Sequence, residues 1–159
     1  MLLSVIIPVY NSEQTINRLV EHVLETLDRT TLELVLVNDG SRDRSEQVCT
    51  ELAKRFSEVK FISLRRNSGE FNAVICGLNH ASGDYCVMID DDFQNPPTEI
   101  LKLVETAQQG DYDVVYSFYA TKKHSWFRNF GSWLVNHVTT WLLEKPNDLY
   151  LSSFKLINQ

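Results

Sequence analysis

The chain has 159 residues, 43% hydrophobic and 23% charged, with six glycines and four prolines, which excludes a disordered or fibrous chain and suffices for one domain with a real core. A formal net charge of −6 argues against a general nucleic-acid-binding surface. Cys49, Cys76 and Cys86 form no metal-type pair, Met1–Ser4 has no basic leader, and no apolar run reaches the roughly 18 residues of a bilayer span, so the expectation is a soluble, cytosolic-side piece with buried, reduced thiols.

Leu3 to Val9 is apolar and β-branched, suited to a strand buried on both faces. Pro8-Val9-Tyr10-Asn11-Ser12 breaks it, and Ser12 can cap a helix over Glu13 to Leu27. Ile16, Leu19, Val20, Val23, Leu24 and Leu27 give that helix one apolar face. A second strand over Glu33 to Val37 ends in Asn38-Asp39-Gly40-Ser41-Arg42-Asp43, where Ser41 or Asp43 can cap a helix running to about Phe56. Val48, Leu52 and Phe56 of that helix face inward. The third strand, Val59 to Leu64, closes with Arg65-Arg66-Asn67-Ser68-Gly69-Glu70, and a helix follows over Phe71 to His80 with Glu70 as its cap.

Tyr85 to Ile89 is a fourth strand that delivers Asp90, Asp91 and Asp92 at its carboxyl end. Asn95-Pro96-Pro97 then starts a helix to about Gln108, with Asn95 as N-cap and proline at the first helical position, where its missing N–H costs nothing. A Gly110-Asp111 turn leads to a fifth strand over Asp113 to Phe118. Beyond it, Lys122-Lys123-His124 precedes an aromatic-rich helix over Trp126 to Leu143, and a last strand spans Leu149 to Leu156. Strands alternating with helices at this rhythm imply an open, doubly wound α/β sheet, mostly parallel, in one domain. In such sheets ligands bind beyond the carboxyl ends of the strands. The loops at Pro8 to Ser12, Asn38 to Ser41, Arg65 to Glu70 and Asp90 to Gln94 all fall there.

Three adjacent carboxylates repel one another, and a divalent cation removes that penalty. Mg²⁺ or Mn²⁺ held by one or two carboxylates, water and a substrate's phosphates suits such oxygen ligands. The alternative is a solvated acidic loop capping a helix. Asp39 either recognises a nucleobase or bonds its own turn. Arg65 and Arg66 either sense phosphate or sit in solvent.

Taken together, Ser4-Val5-Ile6-Ile7-Pro8-Val9-Tyr10-Asn11, Val37-Asn38-Asp39-Gly40-Ser41-Arg42-Asp43, Arg66-Asn67-Ser68-Gly69, Ala81-Ser82-Gly83-Asp84 and Asp90-Asp91-Asp92-Phe93-Gln94-Asn95-Pro96-Pro97 resemble, in order and spacing, the family 2 glycosyltransferases of the GT-A fold. Among these the chain is most similar to the polyprenyl-phosphate glycosyltransferases. The resemblance implies a nucleotide-sugar-binding core over 1–118 and an acceptor-side region over 119–159, C-terminally incomplete because family members run further, often into amphipathic or membrane helices. It places the family's metal-side Asp-x-Asp on Asp90 and Asp92, with Gln94 as third ligand, and puts Asp91 where a small residue is usual. Pro8, Tyr10, Glu13, Asp39, Asp90 and Asp91 would hold the nucleotide sugar. Arg128 and Ser132 would hold an acceptor phosphate, with Lys122 and Lys123 standing in for a basic residue that Tyr119 replaces. Catalytic roles fall to Asp92 on the metal side and Arg128 on the acceptor side. The implied reaction is an inverting transfer from a UDP- or GDP-sugar to polyprenyl phosphate at the cytoplasmic face of a membrane. A glycan hydroxyl acceptor and a nucleotide-sugar-binding module without turnover are the alternatives. A nucleotidyltransferase would carry a Gly-rich, basic first loop, which Pro8-Val9-Tyr10-Asn11 lacks.

Overall fold

A computed structural model of the chain describes residues 1–93, 95–117 and 152–159. Apolar, β-branched runs form β1 (Leu3–Val9), β2 (Leu32–Asn38), β3 (Val59–Ser63), β4 (Tyr85–Met88) and β5 (Val114–Tyr116), with β6 (Lys155–Asn158) near the carboxyl end. The amphipathic runs between them form α1 (Ile16–Thr26), α2 (Ser45–Arg55), α3 (Glu70–His80) and α4 (Thr98–Gly110), with a 3-10 turn at Arg29–Thr31. The sheet order is β3-β2-β1-β4-β6-β5. β1 pairs in parallel with β2 and β4, and β2 with β3. β6 runs antiparallel between β4 and β5, with Lys155 opposite Met88.

The chain leaves β1 toward β2 on one side and returns to β4 on the other. The strand order therefore reverses between β1 and β4, and that reversal opens a crevice at their carboxyl ends. Contacts divide the chain into two units. The first is Met1–Tyr116 with Ser153–Gln159, which holds the sheet and the four helices. In the second, Ser117–Ser152, the described residues are its two ends, where the Ser117 hydroxyl donates to the Ser152 hydroxyl at 3.1 Å.

β2 is buried at every position, and its alternation serves two cores. Leu34 and Leu36 join Val5, Ile7 and Val9 under α1, α2 and α4, while Val35 and Val37 join Ile6, Cys86 and Met88 under α3. The apolar face expected of α1 is buried from Ile16 to Leu24, and Leu27 beyond it is buried as well. On the other face α3 approaches the sheet closely, because a Cβ on Gly77 would meet Ile6 Cγ2 at 2.4 Å. Val48 and Phe56 pack at the margin of the larger core, with Leu52 and Cys49 inside it.

Several boundaries differ from the sequence pattern. α1 starts at Ile16 rather than Glu13, and the Ser12 hydroxyl does not cap it; the Ser12 carbonyl instead accepts from the Thr15 and Ile16 amides at 3.0 Å. Asp43, not Ser41, serves the start of α2, accepting from the Ser45 amide at 3.0 Å and the Ser45 hydroxyl at 2.6 Å. Asn95 does not cap α4: the helix begins after Pro97, and Asn95 is buried with its Oδ1 unpartnered. Glu70 opens α3 without making a cap bond. The last strand is Lys155–Asn158, shifted from the expected Leu149 to Leu156, and the fifth strand is shortened to Val114–Tyr116. The expected helix over 126–143 lies outside the described residues.

At the amino-terminal end of the sheet, opposite the crevice, Glu33 ties four segments together. Its carboxylate accepts from the Ser4 hydroxyl at 2.5 Å and from the Ser82 amide, and pairs with Lys60 Nζ at 2.6 Å. Burial pushes the Glu33 carboxyl up, but the Lys60, Ser4 and Ser82 bonds outweigh it and hold the group below its ordinary value of 4.5. A depressed folded-state value means the stabilisation is complete above about pH 4.5 and is lost as pH falls through the lower folded value. Glu33→Gln is expected to cost roughly 2 kcal/mol in urea unfolding at neutral pH, a loss that shrinks below about pH 4.5. The three thiols give a simpler check. Cys49 and Cys86 are fully buried, and burial, reinforced by Asp91 and Asp43, pushes Cys49 up to about 12. A thiol reagent should modify half-buried Cys76 in the folded chain, and Cys49 and Cys86 only after unfolding.

Candidate active site

The four strand ends carry polar loops that hold one another in place. Asn38, the last residue of β2, accepts the Ser41 amide at 3.1 Å and donates to the Ser63 hydroxyl at 3.0 Å, closing the turn that presents Asp39. Asp39 is 3% exposed, and its carboxylate accepts from the backbone amides of Ser68 at 2.7 Å and Gly69 at 2.9 Å. Its bonds thus go to the loop after β3 rather than to its own turn. After β1, Asn11 takes a left-handed conformation (φ 55°) and is stitched to the loop after β2. Its amide donates to the Ser41 hydroxyl at 3.0 Å, and its Oδ1 accepts from the Arg42 amide at 2.8 Å.

These loops enclose a cavity of about 440 Å³. Pro8, Val9 and Tyr10 line it from β1, Asp39 from β2, and Asn67, Gly69 and Glu70 from the stretch between β3 and α3. Asp90, Asp91 and Asp92 face it from β4, and Ser153 from the residues before β6. Ser153 donates its hydroxyl to Asp90 Oδ2 at 2.7 Å, so the segment leading into β6 anchors the first acid of the trio. Asp91 accepts from the Tyr10 amide at 3.2 Å and from the Ser12 hydroxyl. Phe93 then turns the chain away with φ 62°, an unfavourable conformation for an aromatic residue, and its ring packs at the core margin with the Arg18 guanidinium 5.4 Å away.

The cavity is strongly acidic. Burial pushes the Asp91 carboxyl above its ordinary value against the bonds from Ser12 and Tyr10. Burial also raises Glu70, and the charges of Asp90 and Asp91 raise it further, while Lys155 pulls it down. Among the described lining residues there are five carboxylic side chains and no lysine or arginine. Such a lining repels a phosphate and attracts a cation. Among the described residues no three His, Cys, Asp or Glu side chains gather tightly enough to cage an ion. The donor set instead fits an open Mg²⁺ or Mn²⁺ site, where one or two carboxylates hold the ion and waters or substrate oxygens complete its shell.

Of the residues singled out in the sequence, Pro8, Tyr10, Asp39, Asp90, Asp91 and Asp92 come together around this cavity. Glu13 is not among its lining residues; it accepts from the Arg44 amide at 2.9 Å and Nε at 3.3 Å, and these bonds hold its carboxyl below the usual range. Gln94, Lys122, Lys123, Arg128 and Ser132 lie outside the described residues. Arg65 and Arg66 are exposed, and Arg66 borders a neighbouring groove with Asn67 and Asn72. Sequence reasoning missed Ser153 entirely and gave Glu70 a cap role where it lines the cavity. The alternation along β6 could have flagged Lys155, but no local pattern marks Ser153.

Comparison with known proteins agrees with this geometry. An undecaprenyl-phosphate 4-deoxy-4-formamido-L-arabinose transferase of Edwardsiella ictaluri (strain 93-146) is 43% identical over 136 residues, covering 84% of this chain and 42% of that protein. The transferase of the same description from Aeromonas hydrophila subsp. hydrophila is 40% identical over 156 residues, covering 96% of this chain and 46% of the relative. The chain thus spans less than half the length of these relatives. Among solved structures, glucosyl-3-phosphoglycerate synthase from Mycobacterium tuberculosis, crystallised with Mn²⁺, uridine-diphosphate and phosphoglyceric acid, aligns with a TM-score of 0.76 at 22% identity. The alignment covers 99% of this chain and 55% of that one. S. aureus TarS in complex with UDP-GlcNAc aligns with a TM-score of 0.63 at 24% identity, covering 79% of this chain and 37% of that one. These structures share the GT-A arrangement of a mostly parallel sheet flanked by helices. Residues 4–156 match the family described as Glycosyl transferase family 2, and the chain belongs to it.

Proposed function

We propose that this chain is the donor-binding catalytic part of a metal-dependent glycosyltransferase that transfers a sugar from a nucleoside-diphosphate donor to polyprenyl phosphate with inversion. The observation that carries the reading is the acidic cavity at the β1–β4 reversal, whose carboxylate lining would repel a diphosphate unless a cation came with it. The names of the curated relatives, which specify undecaprenyl phosphate, support the lipid acceptor. The neighbours crystallised with Mn²⁺ and UDP, or with UDP-GlcNAc, support the donor class.

In this reading Asp90, Asp92 and Gln94 hold Mg²⁺ or Mn²⁺. Held by these residues, such an ion would supply Lewis-acid stabilisation of the charge on a departing diphosphate. Asp39, already ordered by the Ser68 and Gly69 amides, keeps lone pairs for the N–H groups of a uracil or guanine base. Pro8 and Tyr10 flank the nucleotide, with Glu13 behind them ordering the Arg44 end of the neighbouring loop. Lys122, Lys123, Arg128 and Ser132 hold the acceptor phosphate. That phosphate is ionised near neutral pH, so positioning rather than proton abstraction is the main demand on the protein. The setting is the cytoplasmic face of a membrane, met peripherally; among the described residues no helix is long and apolar enough to cross one.

Calorimetry with UDP and GDP, each with and without Mn²⁺, tests the site, and transfer of labelled sugar from a donor panel to undecaprenyl phosphate tests the acceptor. Tight nucleotide binding that ignores Mn²⁺ would remove the metal role. Transfer to sugar hydroxyls without lipid product would remove polyprenyl phosphate as acceptor. Arg128→Ala is expected to raise KM for the lipid phosphate about tenfold or more and leave donor affinity within about threefold.

A further inference from the structure

We infer that Asp91 is a positioning residue, a clasp from the tip of β4 to the loop after β1 that keeps Tyr10 at the donor cavity, and not a ligand of donor or ion. The inference rests on the donor site proposed above and names what holds it open in the right shape.

The neighbouring acids look to opposite sides of β4. Asp90 turns toward β6, where Ser153 donates to its Oδ2 at 2.7 Å. Asp91 turns toward β1, where its Oδ2 accepts the Tyr10 amide at 3.2 Å and the Ser12 hydroxyl. The Tyr10–Ser12 loop needs such a tie. It leaves β1 through a left-handed Asn11, and Tyr10 is 43% exposed, so little apolar burial holds the loop at the cavity. Its other fastenings all lead away from β4. Asn11 is bonded to Ser41 and Arg42, and the Ser12 amide donates to Ser45 Oγ at 2.7 Å. Ser45 in turn donates to Asp43, which also accepts the Glu13 amide at 3.1 Å. The loop is thus stitched along one side to the start of α2, and Asp91 supplies the stitch on the other. With alanine at this position the Tyr10 amide loses its acceptor, the Ser12 hydroxyl is left with the Tyr10 carbonyl of its own loop at 3.2 Å, and the tie to the tip of β4 is gone, so the loop is free to lift.

The test uses the whole chain and two readouts. Amide hydrogen exchange over Tyr10–Glu13 reports the clasp itself, and calorimetry with UDP at several Mn²⁺ concentrations reports its effect on the donor. Asp91→Ala should speed exchange of the Tyr10 amide and weaken UDP binding, each by about tenfold, the loss of one well-made bond. The Mn²⁺ concentration giving half the effect should stay within about twofold. Asp91→Asn keeps an acceptor oxygen and should recover most of both losses, and Ser12→Ala should reproduce part of them if Asp91→Ala does not fold. Exchange at Tyr10 unchanged in Asp91→Ala, or a tenfold shift in the Mn²⁺ requirement of Asp91→Asn, would overturn the assignment. A wild-type chain that binds no nucleoside diphosphate would defeat the functional reading instead, and the exchange measurement alone would then decide the clasp.

Discussion

Asp92→Ala is expected to lower sugar transfer by roughly two to three orders of magnitude, the size of effect seen when preorganised stabilisation of a leaving anion is removed. The side chain lies past the end of β4, exposed at the cavity, so its loss uncovers no core. Five acidic groups line the cavity. Without a cation their mutual repulsion extends to the incoming diphosphate, and ground-state binding and departure of the leaving group suffer together. The thermal midpoint should therefore stay near that of the wild type, while Mn²⁺ no longer strengthens UDP binding in calorimetry. A turnover loss below about threefold, with the Mn²⁺ effect intact, would move the ion away from this acid.

Much of the fold was legible because periodicity and burial act together. β2 is an unbroken apolar run, and it is buried at every position between two cores. The spacing of Ile16, Leu19, Val20, Val23 and Leu24 specified the buried face of α1. Helix starts were the weak point, for a physical reason. Ser12 and Asn95 are both good capping residues in isolation, but each is buried in its tertiary setting. The Ser12 hydroxyl is drawn to a carboxylate far along the chain, and Asn95 has no helix amide within reach of its Oδ1. Long-range partners win because a buried carboxylate has more to gain from a donor than an exposed helix end has. The antiparallel insertion of β6 between β4 and β5 had no local signature at all, since pairing direction is decided by residues outside the strand.

The site followed the same division. Pro8, Tyr10, Asp39 and the acids from Asp90 to Asp92 could be grouped from sequence because strand ends in a doubly wound sheet converge on one edge. What each side chain does there depended on contacts that no spacing encodes. By position Asp39 can face either a nucleobase or its own turn, and its carboxylate accepts from two amides of a different loop. Glu70 reads as a cap by position, yet it opens α3 with its side chain at the cavity, beside the charges of Asp90 and Asp91. Ser153 enters only because β6 pairs with β4, which sets its hydroxyl beside Asp90.

Gly40→Ala should be the most damaging single methyl group that can be added near the site. Gly40 has φ 63°, where an alanine costs roughly 1–2 kcal/mol in backbone strain alone. A Cβ there would also stand 2.4 Å from the Asn67 amide nitrogen and 2.5 Å from the Arg66 carbonyl carbon. These are backbone atoms, so no side-chain rotation relieves the overlap, and the loops after β2 and β3 must separate. Overpacking of this kind adds about 1–3 kcal/mol, for a total near 3 kcal/mol in urea unfolding. The functional consequence follows from the neighbouring residue. Asp39 reaches the Ser68 and Gly69 amides at 2.7 and 2.9 Å only while the two loops touch, so separation removes both bonds and unseats the carboxylate proposed above to meet the base. UDP affinity should fall by at least tenfold in the variant molecules that remain folded, with the Mn²⁺ requirement unchanged because Asp90 and Asp92 sit on a different strand end. A stability loss under about 1 kcal/mol would mean that the loops stand further apart than this contact, and that Asp39 is not held by the loop after β3.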